Sequence, residues 1–489
     1  MNYEDILKRI KPNQNEKNRI KAIVDKIIKI IGEKAIEEGY EVEVQLTGSI
    51  AKNTWLSGSA DIDIFITFPV ELEVDELKER GLKLAYYCNE VLNGMATEKY
   101  ASHPYLNVHI DGYSVDIVPA YKIENTSQMK SAVDRTTLHT KYIVKHLENH
   151  QKDEVLLLKK FMKEIKVYGS EFKTGGFAGY LCELLILNYG SFENTLKEAS
   201  NWMEKVIIDL ENHDTANLFK DNLIVVDPTD KNRNVAASLT EEKLTEFIFA
   251  SKNYIKNPKE AYFSPFERKY SDQTSHFKGL EDILNQFKDR QTKVIFISFK
   301  VPEISIDNIY PQLKKTSISL KEKLEELGFT IVKYSYFSEK GMAILTLEFD
   351  TWTLGKYEKN VGPKIWYKKA SEQFVSVHEN VFLEDGFLIE KRERRFKTPE
   401  TFIHHVFKEN NIKILKIGKN LKDSIVNSYR LFGVDDIDRF FSDFDQAFTH
   451  DINFRKISDR KLEEFIPLFY FSFFESLDDY LHPSQHLKR

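Results

Sequence analysis

The segment Asp61–Phe68 reads DIDIFITF and decides how the first part of this chain folds. Apolar residues alternate with other residues along it, and alternate side chains of a β-strand point to the same face. The sequence therefore predicts a strand over Ile62–Phe68. The face directed to the core carries Ile62, Ile64, Ile66 and Phe68. The opposite face carries Asp61, Asp63 and Thr67.

Two carboxylates on one face of a strand lie about 7 Å apart and repel each other. No basic residue in the segment relieves that repulsion, whereas a divalent cation would. Oxygen ligands of this kind suit Mg²⁺, which also takes phosphate oxygens from its substrate. Asp61 and Asp63 are therefore candidate magnesium ligands, although either one alone is better explained as a solvated strand residue.

A third carboxylate follows in a second strand-like segment. Asp116 alternates with the apolar residues Val115 and Ile117, so it is expected on the polar face of a strand over Ser114–Val118. Three acids on adjacent strands can hold two metal ions, one beside the attacking hydroxyl and one beside the leaving phosphate. Asp61, Asp63 and Asp116 together predict a catalytic two-metal site with two Mg²⁺ ions.

A Gly48-Ser49 turn precedes the acids. Glycine lets the backbone approach a phosphate closely, and backbone N–H groups with the Ser49 hydroxyl can bind phosphate oxygens. A Gly-Ser pair alone is only a turn, but its spacing from Asp61 and Asp63 makes it a candidate triphosphate site.

The chain has 489 residues, which is too long for one ordinary domain. Periodicity predicts a mixed α/β first domain over residues 1–150, with a helix over 16–38, a helix over Val74–Leu92 and strands at Glu41–Leu46 and Leu106–Ile110. Residues 151–256 are mainly helical, interrupted by a turn-rich stretch at Val226–Ala237. In residues 257–355 a strand (Lys293–Val301), a helix (Pro311–Leu327) and a hairpin (Thr330–Phe337, Met342–Phe349) predict a ferredoxin-like layer. Residues 356–489 mix strand-like and helical pieces. The fold class expected is α+β with several domains.

The net charge is −6, which taken alone disfavours nucleic acid as a partner. The charge is segregated, however. Between Lys391 and Lys422 ten lysines and arginines stand against three acidic residues, a local balance of +7. Such a segment is either a solvated face or a site for a polyanion. No stretch reaches the roughly 20 apolar residues of a membrane helix, so no membrane partner is expected. The two cysteines are expected as free, buried thiols in a reducing cytoplasm.

A Gly-Ser turn followed by acid-x-acid on a strand and a later third acid resembles the DNA polymerase β nucleotidyltransferase superfamily. Longer strings resemble its archaeal, class I CCA-adding enzymes in particular. In the first half these strings are Gly48–Trp55, His103-Pro104-Tyr105, Val133–His139, Gly176–Leu185, Val226-Asp227-Pro228 and Arg233–Ala237. In the second half they are Asp307–Leu313, Val361-Gly362-Pro363 and Leu415–Asn420.

This resemblance implies a catalytic head, a helical neck, a body and a tail, assigned to residues 1–150, 151–256, 257–355 and 356–489, with the last range also completing the body. It implies addition of C, C and A to the tRNA 3′ end from CTP and ATP, without a nucleic-acid template. It also implies that the nucleotide is bound by Gly48, Ser49, Lys52, Thr136, His139, Lys159, Tyr168 and Arg233, with Arg233 reading the base together with the RNA itself. Without the resemblance, Arg233 is better explained as a loop salt bridge, and His139 is equally well explained as a helix-cap or core histidine.

Residue by residue, the resemblance leaves several points open. Lys159 is expected to project from the polar face of its helix as a point charge for phosphate. Lys52 stands where the family often has arginine, and Asp61 stands where some members have glutamate. The tail, with its basic segment interleaved with Phe396, Phe402 and Phe407, is expected to bind tRNA by shape and phosphate contacts. A homodimer is left open by the sequence.

Two other functions share some of these features. Another template-independent RNA terminal transferase, such as a poly(A)-type polymerase, would share Asp61, Asp63 and Asp116 but need not share the C-terminal strings. A non-catalytic RNA-binding protein on the same fold should have lost one of the acids, and all three are present.

Overall fold

The computed structural model describes residues 1–100, 104–265, 282–339, 341–437, 472–473 and 475–488. The chain divides into two compact units. Unit 1 comprises Met1–Phe266 with Ser484–Arg489, and unit 2 comprises Glu267–Pro483. The division expected from the sequence, at residues 150, 256 and 355, stays a prediction.

Unit 1 begins with a five-stranded mixed sheet in the order β1-β2-β5-β4-β3. Its strands are β1 (Glu43–Thr47), β2 (Asp61–Phe68), β3 (Met95–Tyr100), β4 (Pro104–Ile110) and β5 (Tyr113–Tyr121). Strands β2 and β5 are parallel, and the other neighbours are antiparallel. The predicted strands are confirmed, with no end moved by more than three residues. The exposed edge strand β3 was not predicted.

Helices cover one face of this sheet. The N-terminal half of unit 1 contains α1 (Tyr3–Ile10), α2 (Gln14–Glu37), α3 (Gly48–Lys52) and α4 (Val74–Leu92). Ile62, Ile64 and Ile66 of β2 are fully buried in one core with residues of α2 and α4, as the alternation predicted. On the opposite face only Asp61 and Asp63 are accessible, because Phe65 and Thr67 are buried. Thr67 lies on the face of the strand that the alternation predicted, but that face is buried beyond Asp63.

The second part of unit 1 is mainly helical, as predicted. Its helices are α5 (Arg135–His146), α6 (Asn149–Glu164), α7 (Gly179–Tyr189), α8 (Phe192–Ala199) and α9 (Glu241–Lys256). The stretch predicted as irregular, Val226–Ala237, lies largely in a small sheet instead. That sheet has the order β6-β7-β8, with β6 (Val206–Ile208), β7 (Leu223–Asp227) and β8 (Asp230–Asn234). Strand β8 reads DKNRN, which has no apolar alternation by which a strand is recognised.

Unit 2 contains the predicted ferredoxin-like sheet, in the order β10-β11-β9-β15. The strands are β9 (Lys293–Lys300), β10 (Thr330–Glu339), β11 (Met342–Thr351) and β15 (Arg430–Phe432). A helix covering residues 282–289 (α10) and α11 (Ile306–Glu326) belong to this layer. Helix α11 begins five residues before the predicted start at Pro311, because Ser305 caps it by accepting from the Asp307 N–H at 3.2 Å.

The remaining elements of unit 2 mix strands and helices, as predicted. A three-stranded sheet has the order β12-β14-β13, formed by β12 (Tyr357–Lys364), β13 (Val381–Glu384) and β14 (Phe387–Glu393). The helices are α12 (Lys368–Val377), α13 (Pro399–Val406) and α14 (Lys422–Ser428). Within the described residues of both units, no helix is long and apolar enough to cross a membrane.

Candidate active site

The three aspartates lie side by side on neighbouring strands. Asp63 of β2 is the register partner of Asp116 of the parallel strand β5, and Asp61 is the partner of Ser114. Asp61 is exposed, and Asp63 and Asp116 are half-buried. The structure therefore brings together, at one end of the sheet, the three acids that the sequence singled out.

The electrostatics of these acids favour a bound cation. Burial, followed by the negative charges of Asp116 and Asp61, raises the pKa of Asp63 to about 7. Burial also raises the pKa of Asp116, although a hydrogen bond from Asn107 opposes that change. A carboxylate whose ionised form is disfavoured by burial and by like charges regains that form when a cation is near.

The donor set fits Mg²⁺, and it does so as an open site. Within the described parts of the chain, no three carboxylate, imidazole or thiol groups converge closely enough to hold one metal ion between them, and this includes Asp61, Asp63 and Asp116. Mg²⁺ is usually held by one or two carboxylates, with waters and substrate phosphates as its other ligands. Asn107 orients one ligand, because its Nδ2 donates to Asp116 Oδ1 at 2.5 Å and to Ser114 Oγ at 2.8 Å.

Gly48 lies directly against the carboxylate of Asp63. Its φ is +70°, a left-handed conformation, and a Cβ atom there would stand 2.0 Å from Asp63 Oδ2. Only glycine avoids both the strain and the collision. Ser49 follows at the start of α3. The Gly-Ser turn is therefore adjacent to the acids, as the spacing indicated.

Lys52 and Lys159 point to a buried carboxylate that sequence reasoning did not select. Lys52 Nζ donates to Glu183 Oε2 at 2.6 Å, and Lys159 Nζ lies 3.4 Å from Glu183 Oε1 and donates to the Thr54 carbonyl at 2.9 Å. Lys159 is 2% exposed, so the prediction that it projects from the polar face of its helix is wrong. Glu183 comes from α7, and only the tertiary fold provides it as a partner.

Two lysines around one carboxylate leave an excess of positive charge inside the protein. Burial would raise the pKa of Glu183, but the charges of Lys52 and Lys159 hold it below its ordinary value. The carboxylate is thus ionised, and the three groups carry a net charge of +1. A buried excess charge is costly unless an opposite charge lies near it. A bound triphosphate would supply that charge.

His139 and Arg233 converge on a second unpredicted acid, Asp227, at the end of β7. His139 Nε2 and Arg233 Nη1 each lie 2.8 Å from Asp227 Oδ2. The Tyr180 ring stacks on His139 with centroids 3.9 Å apart. Burial lowers the pKa of His139, opposed by its hydrogen bond to Asp227. The ion pair of Arg233 is with a residue only six positions away in sequence.

The two other predicted residues also lie in unit 1. Thr136 is half-buried in the first turn of α5, and its carbonyl accepts from Thr140 Oγ1 at 3.0 Å. Tyr168 and Lys159 meet at Gly179, where a Cβ atom would stand 3.1 Å from the Tyr168 hydroxyl and 3.4 Å from Lys159 Nζ. Burial raises the pKa of Tyr168, so its hydroxyl stays protonated.

Three residues of this site escaped sequence reasoning, namely Asn107, Glu183 and Asp227. Glu183 had a signal, since it is the one charged residue within the apolar stretch Tyr180–Leu187. Asp227 follows the apolar run Leu223–Val226, which also points to a buried acid. Asn107 had no signal, because its role depends on the pairing of β4 with β5.

Known protein families and solved structures are similar to this chain. Three family models match the chain, described as nucleotidyltransferase domain (residues 24–139), tRNA nucleotidyltransferase, second domain (153–264) and CCA-adding enzyme, C-terminal domain (290–433). Among solved structures, the Cid1 poly(U) polymerase with Mg 3′-dATP bound is similar with a TM-score of 0.44 and 14% identity, covering 54% of this chain and 97% of that one.

Relatives of much higher identity cover nearly the whole chain. The CCA-adding enzyme of Methanothermobacter thermautotrophicus is 43% identical over 92% of this chain and 98% of its own length. The CCA-adding enzyme of Methanosarcina acetivorans is 36% identical over 86% of this chain and 91% of its own length. Since relatives of this identity match it over most of its length, the chain belongs to the family of archaeal CCA-adding enzymes.

Proposed function

We propose that Asp61, Asp63 and Asp116 hold two Mg²⁺ ions, and that this site adds C, C and A to the 3′ end of tRNA. The observation that supports the site is the register of β2 with β5. It sets Asp63 beside Asp116, with Gly48 against the Asp63 carboxylate. As a nucleotidyltransferase of this family, the protein uses divalent metal ions, tRNA and nucleoside triphosphates as cofactor and substrates.

The reaction joins the 3′-hydroxyl of the RNA to the α-phosphate of the nucleotide. An O–P bond forms at the α-phosphorus, the bond to the β-phosphate breaks, and pyrophosphate leaves with its electron pair. When bound, the ions ease deprotonation of the attacking hydroxyl and neutralise charge on the phosphates. The protein's own contribution is to fix the three carboxylates on rigid strands, with Asn107 orienting Asp116.

The triphosphate is proposed to lie between the Gly48-Ser49 turn and the residues of α5 to α7. Ser49 and Thr136 offer hydroxyls and Tyr168 offers a protonated phenol to the phosphates, whereas His139, whose Nε2 is engaged by Asp227, offers the acceptor Nδ1 of its imidazole to the ribose hydroxyls. Lys52 and Lys159 provide the positive charge behind them, with an excess of +1 after their pairing with Glu183. Because Lys159 is buried, we propose that it acts on phosphate through this charge more than through direct contact.

The base is proposed to meet Arg233. An arginine side chain only donates hydrogen bonds. The ring nitrogens N3 of cytosine and N1 of adenine accept, whereas N3–H of uracil and N1–H of guanine donate. A guanidinium directed at that edge therefore favours the two nucleotides of the CCA end over the other two.

The tRNA body is proposed to bind the basic segment Lys391–Lys422. In that segment Arg394 is occupied, because it donates to Glu358 at 2.9 Å and to the Leu327 carbonyl at 3.1 Å. Lys413, Lys416 and Lys419 are exposed. These lysines are therefore better candidates for phosphate contacts than Arg394. A tRNA substrate also makes the cytoplasm the expected location, and size-exclusion chromatography would decide whether the protein forms the homodimer that the sequence leaves open.

One incubation tests the function. The purified protein is mixed with Mg²⁺, a tRNA that lacks its 3′ CCA, and each nucleotide singly or in pairs. Addition of two C from CTP and then one A from ATP is the expected result. Long A tracts would instead identify a poly(A)-type polymerase, and tRNA binding without any addition would identify a non-catalytic RNA-binding protein.

A further inference from the structure

We propose that Asp227 is a positioning residue that sets nucleotide selectivity by orienting Arg233 and His139 together. This inference rests on the proposed contacts of those two residues with the nucleotide. It concerns a carboxylate that is itself fully buried, so it acts through its neighbours and not by touching the substrate.

Both oxygens of Asp227 are occupied by donors. Oδ2 accepts from Arg233 Nη1 and His139 Nε2, each at 2.8 Å. Oδ1 accepts from the Thr229 N–H and hydroxyl at 2.9 Å each, and from the Tyr180 hydroxyl at 3.3 Å. Burial would raise the pKa of Asp227, but the hydrogen bond from His139 and the nearby positive charges outweigh it and hold the pKa below its ordinary value. The carboxylate is therefore a fixed, ionised acceptor.

The contact to His139 selects a tautomer. A carboxylate without a proton can only accept, so the imidazole must carry hydrogen on Nε2. Nδ1 is then directed away from Asp227. Tyr180 holds the ring plane, since the two rings stack at 17° to each other. Asp227 thus determines which nitrogen of His139 faces the nucleotide site.

The contact to Arg233 leaves most of its donors free. Among the described residues, only Asp227 is a hydrogen-bond partner of the guanidinium, and the side chain is 32% exposed. Since the guanidinium is planar and its donors form a rigid fork, fixing Nη1 fixes the direction of the remaining N–H groups. A direction held in this way is what allows donors to distinguish the acceptor N3 of cytosine from the donor N3–H of uracil.

The hairpin of β7 and β8 also provides a matched control. Asp230 of the same hairpin pairs with Arg135 of α5 at 3.1 Å, so it anchors the hairpin to the same helix as Asp227 does. In the part of the chain that the structure describes, the side-chain partner of both His139 and Arg233 is Asp227 and not Asp230. Loss of the Asp230 charge therefore weakens the anchoring of the hairpin to α5 but leaves the contacts that orient His139 and Arg233 in place.

The experiment measures kcat/KM for CTP and for UTP on a tRNA that lacks its 3′ CCA, using the full chain. Asp227→Asn should lower the CTP-to-UTP ratio by at least about tenfold, which corresponds to about 1.4 kcal/mol. Asp230→Asn should keep the ratio of the unchanged protein. In an Arg233→Ala background, Asp227→Asn should not change the ratio further, because the oriented group is then absent.

If Asp227→Asn lowered kcat/KM equally for CTP and UTP, the CTP-to-UTP ratio would be unchanged. That result would overturn the proposal and leave Asp227 a structural role. If Asp227→Asn fails to fold, the ¹⁵N chemical shifts of His139 in the unchanged protein decide. The Nε2–H tautomer supports the arrangement, and the Nδ1–H tautomer overturns it. An unchanged protein that adds no C to any tRNA would instead refute the proposed function, which is a distinct result.

Discussion

Gly48 and Asp63 form the contact on which the geometry of the acids depends most directly. A methyl group at residue 48 would stand 2.0 Å from Asp63 Oδ2, so Gly48→Ala must displace that carboxylate. A displacement of about 1 Å at a reacting centre costs on the order of a hundredfold in rate. We therefore expect Gly48→Ala to lower kcat for C addition by about a hundredfold, measured with saturating CTP and tRNA.

Gly58→Ala is the control for this substitution. Gly58 has φ +69°, nearly the same as the +70° of Gly48, and a Cβ atom added to it would have no neighbouring atom within 4 Å. Both variants carry the same left-handed strain, of about 1–2 kcal/mol, but only one collides with Asp63. Equal activity losses in the two variants would show that strain, and not displacement of the carboxylate, is responsible.

The raised pKa of Asp63 makes the stabilisation by a bound metal ion depend on pH. Its pKa is about 7 in the folded protein against an ordinary value of 3.8, so the folded state holds this proton more tightly than the unfolded state. Without metal, the stability contributed by the protonated group is complete below about pH 4 and is lost as pH rises through 7. Because a cation binds the ionised carboxylate, it restores the lost stability only at pH values at which Asp63 is ionised.

We therefore expect Mg²⁺ to raise the melting temperature more at pH 8 than at pH 5. At a concentration about a hundred times its Kd, a ligand stabilises by about 2.7 kcal/mol, which is roughly 5–10 °C for a unit of this size. Differential scanning fluorimetry with and without Mg²⁺ measures the shift at both pH values. Asp63→Asn should reduce the shift at pH 8, and an equal shift at both pH values in the unchanged protein would contradict the assignment.

Among the helices, α3, α6 and α7 are joined by one buried charge. Lys52 follows the Gly-Ser turn in α3, Lys159 lies in α6, and Glu183 of α7 pairs with both. Removing one partner of a buried ion pair usually costs about 3–5 kcal/mol, because the remaining charge is left uncompensated. We expect Glu183→Gln to lower the free energy of unfolding by that amount in urea denaturation.

The control for Glu183→Gln is Asp75→Asn on α4. Asp75 pairs with Lys78 at 2.9 Å, but its side chain is 96% exposed, and such surface pairs contribute about 0–1 kcal/mol. If Glu183→Gln proved as harmless as Asp75→Asn, the three helices would not depend on this charge. The excess positive charge proposed for the triphosphate would then need another origin.

Helices and strands with a regular spacing of apolar residues were predictable from the sequence. Elements that form only by pairing with other parts of the chain were not. The helix Val74–Leu92 was predicted at both ends because its apolar spacing is regular throughout. Strand β8 was missed because Asp230–Asn234 is polar and becomes a strand only by pairing with β7. The partner of Lys159 was missed for the same reason, since Glu183 lies 24 positions away and reaches it only in the folded unit.

Along the whole chain, acidic and basic residues are segregated. A tRNA nucleotidyltransferase must combine nucleotide transfer, which uses the acids, with tRNA binding, which uses the basic residues. The net charge of −6 includes the acids of the site, whereas the segment Lys391–Lys422 carries +7. The charge count predicted a basic segment and the resemblance assigned it to the tail, but only the structure identifies which of its residues are available. Arg394 pairs with Glu358, while the loop that follows α13 leaves its lysines exposed.

That loop presents Lys413, Lys416 and Lys419 on a fixed backbone, because Ser319 accepts from the Lys416 N–H at 2.8 Å and Gln312 accepts from the Asn420 N–H at 2.9 Å. Each lysine that neutralises a phosphate contributes about one unit to the dependence of log Kd on log salt concentration. Changing all three to glutamate should therefore weaken tRNA binding and reduce that slope by up to about three units, measured by filter binding across a salt series.

The matched control changes the exposed lysines Lys21, Lys26 and Lys29 of α2 to glutamate. It alters the net charge equally, on a helix that packs against the sheet face opposite the aspartates. Equal effects of the two triple changes would mean that tRNA senses only the total charge, and that this loop is not part of its binding surface.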